Sequence, residues 1–216
     1  MQAATEAKET GRTEAFSDGV FAIAITLLIL EIRVPHPGDT TESLATLLVQ
    51  QWPSYLAYVL SFLVIAVMWV NHHNLFRYIR RVDNLFLFLN SLLLMVITFV
   101  NFSTALLADY LLDPAGQQVA GLVYAGTGIV VAILFNLMWR HAAQGNRLLA
   151  PNVDSRLTQA ISDQYRYGPL LYVVALGLVF LSVWLSLALQ FGLAIFFSFT
   201  DSTRIRAKAT TPGEMR

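Results

Sequence analysis

Residues able to do chemistry gather at the mouth of the first hydrophobic stretch and again near residue 70. Arg12, Phe16, Ser17 and Asp18 lead into Gly19-Val-Phe-Ala-Ile-Ala-Ile-Thr-Leu-Leu-Ile-Leu30, and charge returns only at Glu31 and Arg33. Trp69-Val-Asn-His-His-Asn74 supplies His72 and His73, and Asn90 follows in the next apolar stretch. A carboxylate, two imidazoles and an amide are the parts of a metal site, an acid–base pair or a hydrogen-bonded cluster. Adjacent histidines on a helix point about 100° apart, unlike an i, i+4 zinc pair, so no metal site is expected. The chain has no cysteine, which removes thiol chemistry, and no nucleophile stands beside a base, so no enzyme is expected. Ser17 and Asp18 have a plain alternative as a helix N-cap.

The element that must position Asp18 is a poor lipid-facing helix. Twelve residues lie between Asp18 and Glu31, about 18 Å of helix against a hydrocarbon core of roughly 30 Å. A helix from Arg12 to Arg33 is long enough but carries a carboxylate into the membrane. Such an acid faces protein or water and marks function by default. The segment therefore belongs inside a bundle.

With 56% hydrophobic and 13% charged residues among 216, the chain reads as an integral membrane protein, well below the roughly 25% charge of a soluble domain. No cleavable signal is evident in the mixed-charge first 15 residues. Uncharged windows predict spans of about 16–34, 52–75, 84–108 and 117–140, with Pro53 opening the second helix. The uncharged window 167–200 is divided into 166–182 and 185–200 by topology. With six spans and a cytoplasmic N-terminus, Arg33 is the one basic residue of 14 left outside, as the positive-inside rule requires. Residues 1–15 and 201–216 then form cytoplasmic ends around one all-α domain, 16–200. The segment 144–165 is a candidate cytoplasmic helix, and a short amphipathic helix is expected from Thr41 onward.

The faces of two helices carry information. With Ile23 at zero and 100° per residue, Gly19, Thr26, Leu27 and Leu30 share its arc of about 100°, while Asp18 lies near 220°. An aliphatic stripe is thus separated from the acid. On the third span, Asp83, Asn90, Ser91, Thr98 and Asn101 form one polar seam expected to face protein or water. Asp18, His72, His73 and Asn90 fall in the cytoplasmic third, where a buried cluster is expected with Arg12 or a histidine as the partner of Asp18. Gly121, Gly126 and Gly128 allow close helix packing and follow no strand, so they are not a nucleotide fingerprint.

Arg12-x-x-x-Phe16-Ser17-Asp18 and the apolar run after it resemble the signature of the transmembrane protein 175 family of potassium channels, and Trp69 to Phe76 is similar to that family's second helix. The resemblance spans essentially the whole chain. It implies a single-repeat prokaryotic form, where eukaryotic members carry two six-helix repeats, assembling as a homotetramer in the plasma membrane, the inner membrane in a bacterium. It further implies that the first helices line a central pore, with Ile23, Leu27 and Leu30 as its apolar constriction and Thr26 as a hydroxyl layer. Arg12, Phe16, Ser17 and Asp18 would brace the first helix, with potassium as permeant ion and no cofactor. No Thr-Val-Gly-Tyr-Gly filter and no run of voltage-sensing arginines is present, so selectivity is expected to be modest. The alternative is a secondary transporter coupled to cation or proton flux, against which stand the absence of midplane charge and of an inverted repeat.

Overall fold

A computed structural model describes residues 2–36, 42–151, 153 and 155–209. Seven α-helices account for nearly all of it: α1 Gln2–Leu27, α2 Leu44–Gln50, α3 Trp52–Tyr78, α4 Asn84–Tyr110, α5 Gln117–Ala143, α6 Ser155–Val179 and α7 Val183–Ala209. The protein is all-helical. Four stretches are long and apolar enough to cross a membrane, Glu9–Glu31, Trp52–Tyr78, Asn84–Tyr110 and Gln117–Asn146, and Val183–Phe196 is a shorter apolar one.

Local chemistry explains the boundaries. Pro53 sits in the first turn of α3, where no intrahelical donor is needed. Asp83 caps α4 by accepting from the Phe86 amide at 2.8 Å, and Ser43 caps α2 through the Thr46 amide at 3.2 Å. The expected helix near Thr41 is α2, and residues 37–41 lie outside the described ones. The expected cytoplasmic helix within 144–165 is not separate: α6 starts at Ser155 and continues unbroken to Val179. The turn between α6 and α7 lies at 180–182, earlier than the expected break at Ser182 to Ser186. No proline or glycine marks it: Phe180, Leu181 and Ser182 make the turn, and both helices pack on α5.

Helices α3, α4, α5, α6 and α7 form a closed ring by successive contact, and α1 lies outside it against α3 and α4. Two cores fill the ring. The larger joins Phe21, Ala24 and Leu28 of α1 to Ile65, Phe86, Leu93, Ile97, Met138 and Trp139, and the smaller joins Leu107, Tyr124, Val179, Val183 and Leu187. Glycine permits close approach of α5 to α6 and α7: a Cβ on Gly128 would stand 2.9 Å from the Tyr172 ring, and one on Gly121 would stand 3.2 Å from Val179 and Val183. Ser61, Thr104 and Tyr124 are linked inside the ring, Thr104 to Ser61 at 2.7 Å and Ser61 to Tyr124 at 3.2 Å. Their hydroxyls thereby partner one another where lipid offers nothing.

Pro169 lies inside α6 and has no N–H to give the Tyr165 carbonyl one turn earlier. The Asn136 amide of α5 takes its place, donating to that carbonyl at 2.7 Å. Tyr165 also stacks on Phe135 and Trp139, at 6.3 and 6.0 Å between ring centroids, so the proline break is sealed by α5. Asn136→Ala strands the carbonyl and is expected to lower stability by about 1 to 3 kcal/mol. In a Pro169→Ala background, where an N–H is restored, the same change is expected to cost markedly less, as measured by unfolding in mixed micelles.

Candidate functional site

The first helix presents two unlike faces. Phe21, Ala24 and Leu28 are 1%, 0% and 0% exposed against α3 and α4, and buried Ser17 continues their line. Somewhat over 100° around the helix, Ile23, Leu27 and Leu30 are 58%, 43% and 71% exposed on the subunit. Residues Leu28–Glu31 form a 3-10 turn rather than α-helix. At about 120° per residue, Leu30 stands over Leu27 near 40° instead of the 340° expected from a uniform helix. The three aliphatics therefore form a narrower stripe than the sequence predicts. Thr26 belongs to this exposed side, and its hydroxyl donates back to the Ala22 or Ile23 carbonyl at 2.9 and 3.0 Å. Its oxygen keeps its capacity to accept.

The inner face is fixed by a directed hydrogen-bond chain. Ser17 gives its proton to the Thr13 carbonyl at 2.8 Å, so its oxygen can only accept from Asn90 Nδ2, 3.0 Å away. That orients the Asn90 amide and leaves Oδ1 toward His72 Nε2 at 2.9 Å. Nε2 must then carry the imidazole proton, and Nδ1 is bare, buried and without a partner. Phe21, Phe76 and Phe135 surround the ring at centroid distances of 5.3, 4.6 and 6.5 Å. Three helices are locked in rotation by one chain of bonds.

Asp18 is outside that chain. Its partner is the Trp69 indole N–H at 2.9 Å, in place of the expected Arg12 or histidine. Trp69 stacks on His73 one turn later at 6.1 Å, and His73 meets Glu14 at 3.0 Å. The expected single cluster is therefore two strings: buried Ser17–Asn90–His72 and half-exposed Asp18–Trp69–His73–Glu14. Arg12 and Phe16 are exposed on the subunit and join neither. Because α1 begins at Gln2, Ser17 and Asp18 lie in mid-helix and cap nothing. Glu14 and the indole of Trp69 are members that the residue pattern does not single out, although each stands four residues before Asp18 or His73, on the same helical face.

The polar seam of α4 also divides. Asn90 is buried, whereas Ser91 and Thr98 are exposed and donate to the Leu87 and Met95 carbonyls of their own helix. Short hydroxyl side chains satisfy themselves this way and need no second helix. Asp83 at the foot of α4 meets His141 through both carboxylate oxygens, at 2.9 and 2.8 Å. Burial pushes its carboxyl up, but the Phe86 amide, the His141 ring and the charge of Arg147 outweigh this and hold its pKa below the ordinary value. No group of three metal-ligating side chains occurs among the described residues.

A potassium channel of Chamaesiphon minutus is 55% identical to this chain over 199 residues, covering 92% of it and 98% of the relative. The chain belongs to the TMEM175 family. The profile described as endosomal/lysosomal potassium channel TMEM175 matches residues 12–100, which enclose the signature, the exposed stripe and every member of the buried chain. A potassium channel of Streptomyces collinus is 45% identical, covering 94% of this chain and 98% of its own. The human endosomal/lysosomal proton channel TMEM175 matches over 88 residues at 44% identity, 18% of its length. The crystal structure of a lysosomal potassium-selective channel TMEM175 homolog from Chamaesiphon minutus superposes with a TM-score of 0.82 at 52% identity, covering 90% of this chain and 99% of that one. Membership makes the protein a multi-pass membrane channel, and the profile runs from within α1 through α2 and α3 into α4.

Replacing Asn90 by Leu leaves the His72 N–H and the Ser17 oxygen buried without partners. The expected loss of stability is about 1 to 3 kcal/mol, above the ~0.6 of an average interhelical bond in a membrane. Ser91→Ala, at an exposed and self-bonded site, is expected to stay within about 0.5 kcal/mol. Unfolding of both variants in mixed micelles checks the contrast.

Proposed function

We propose that the protein conducts potassium through a pore enclosed by the first helices of four identical subunits, each with six spans and cytoplasmic termini. One observation carries the reading: α1 is braced on its inner face and leaves Ile23, Leu27, Leu30 and Thr26 uncovered on another side. The names of the full-length relatives support potassium as the ion. One chain offers one such face, and enclosing a path requires copies around an axis. Ile23, Leu27 and Leu30 then ring the axis as an apolar constriction, and Thr26 adds a layer of hydroxyl oxygens able to accept.

Such a ring closes by dewetting when its bore is too narrow for a water column and conducts when small helix rotations widen it. Apolar walls cannot replace a hydration shell as carbonyls do. Passage therefore favours the ion that sheds water more easily, and potassium is preferred to sodium only modestly. Asp18, tied to Trp69, holds the helix and does not touch the ion.

Purified protein in liposomes is expected to pass potassium faster than sodium, without strict coupling to protons; coupled, slowly saturating flux would instead mean a transporter. Ile23→Asn is expected to raise conductance several-fold and narrow the potassium-to-sodium preference, and unchanged single-channel currents would remove Ile23 from the constriction. Asp18→Asn is expected to weaken assembly, read as mass in detergent, more than ion preference. Normal assembly with altered preference would contradict a bracing role.

A further inference from the structure

At the end of the subunit that carries the α1 N-terminus, arginines gather on a rigid piece of backbone. Arg77 ends α3, Arg80 and Arg81 lie in the link to α4, Arg140 ends α5 and Arg147 follows it, all exposed. Two chain segments bind side by side there. The Arg80 and Arg81 amides donate to the Leu148 carbonyl at 2.7 and 3.3 Å, the Ala150 amide donates to the Tyr78 carbonyl at 3.0 Å, and Ile79 pairs antiparallel with Leu149. Gly145 and Asn146, with φ of 64° and 53°, make the reversal that returns the chain to this pleat.

Among the described residues Asp83 is the acid at this collar; its oxygens are taken up by the Phe86 amide and His141, and its charge faces that of Arg147. Among the described residues, Arg77, Arg80, Arg140 and Arg147 form no ion pair. The collar also lies at membrane-boundary depth, within a few residues of the ends of the α3, α4 and α5 stretches. Half-buried Tyr78 is held there edge-on against the buried Trp139 ring at 6.3 Å. Guanidinium forks match phosphate oxygens in pairs, and a pleat already ordered by backbone bonds leaves little entropy to lose on binding.

We propose that this collar is a binding site for the phosphate of an anionic phospholipid in the adjacent leaflet, with Arg80 and Arg147 as its principal contacts. The lipid bears on α1 through one bond: Thr10 of α1, itself buried, donates to the Arg80 carbonyl at 3.0 Å. An occupied collar thereby steadies the link that holds the foot of α1. The site requires that the chain span the membrane and is independent of whether α1 lines a pore.

The test is lipid retention by the full chain in neutral detergent with equal amounts of phosphatidylglycerol and phosphatidylcholine, read by native mass spectrometry. The wild type is expected to retain phosphatidylglycerol preferentially, and Arg80→Gln with Arg147→Gln to weaken that preference by about fivefold per arginine. Arg33→Gln, at the opposite end, is expected to leave it unchanged. The pair Arg80→Lys and Arg147→Lys preserves folding charge and should retain part of the preference, since a lysine meets phosphate as a point charge. Equal retention of the two lipids by the wild type would overturn the proposal, as would an equal loss from Arg33→Gln. Displacement of the lipid by millimolar inorganic phosphate would reassign the collar to the free anion and overturn the lipid.

Discussion

The structure depends on the rotational setting of α1, and a buried chain of hydrogen bonds determines it. Ser17 and Asp18 are neighbours in sequence but meet opposite demands. Ser17 is fully enclosed and has one acceptor site to offer, whereas Asp18 is a charge that must keep contact with the boundary. Turning α1 by one residue, about 100°, would drive the carboxylate toward Asn90, whose amide orientation is already fixed by His72. A buried charge without full compensation costs several kcal/mol, far more than any regained packing. The same setting leaves Ile23, Leu27 and Leu30 uncovered, so the aliphatic stripe is exposed as a consequence of how the polar face is satisfied.

The rule that buried polar groups must find partners recurs where the backbone is interrupted. Pro169 removes a donor from α6 and Asn136 replaces it. Where α3 gives way to α4, the free carbonyls and amides pair with 148–150 rather than with lipid or water. These repairs join α5 to both breaks. Helix α1 is thus braced on α3 and α4 from outside the ring, and α5 helps to keep that ring closed.

Much of this was legible in the residues. The uncharged windows coincide with α3, α4 and α5 but not with the bounds of α6 and α7, and the acid ahead of so short an apolar run points to an α1 packed in a bundle. What failed were inferences from uniform periodicity. A 3-10 turn at Leu28–Glu31 shifts Leu30 over Leu27, which no wheel at 100° can anticipate. The α4 seam was read as one face needing a partner, yet Ser91 and Thr98 bond to their own helix. Charge drew attention to Arg12 as the partner of Asp18, and the actual donor is an indole. An aromatic N–H carries no formal charge, so charge-based reasoning passes over it, although it satisfies a carboxylate without burying a second ion.

The reach of the family profile, residues 12–100, follows the same physics. It begins at the signature and ends within α4 beyond Asn90, thereby containing α1, its inner-face chain and the Trp69–Asp18 tie while leaving α5, α6 and α7 outside. Residues in a directed hydrogen-bond chain have almost no substitutes, since changing one member reverses a donor or strands a neighbour. Apolar contacts such as Tyr172 on Gly128 constrain size and shape, which several combinations of residues can satisfy together. The part of the subunit that the profile covers holds a hydrogen-bond chain whose direction is set from Ser17 through Asn90 to His72.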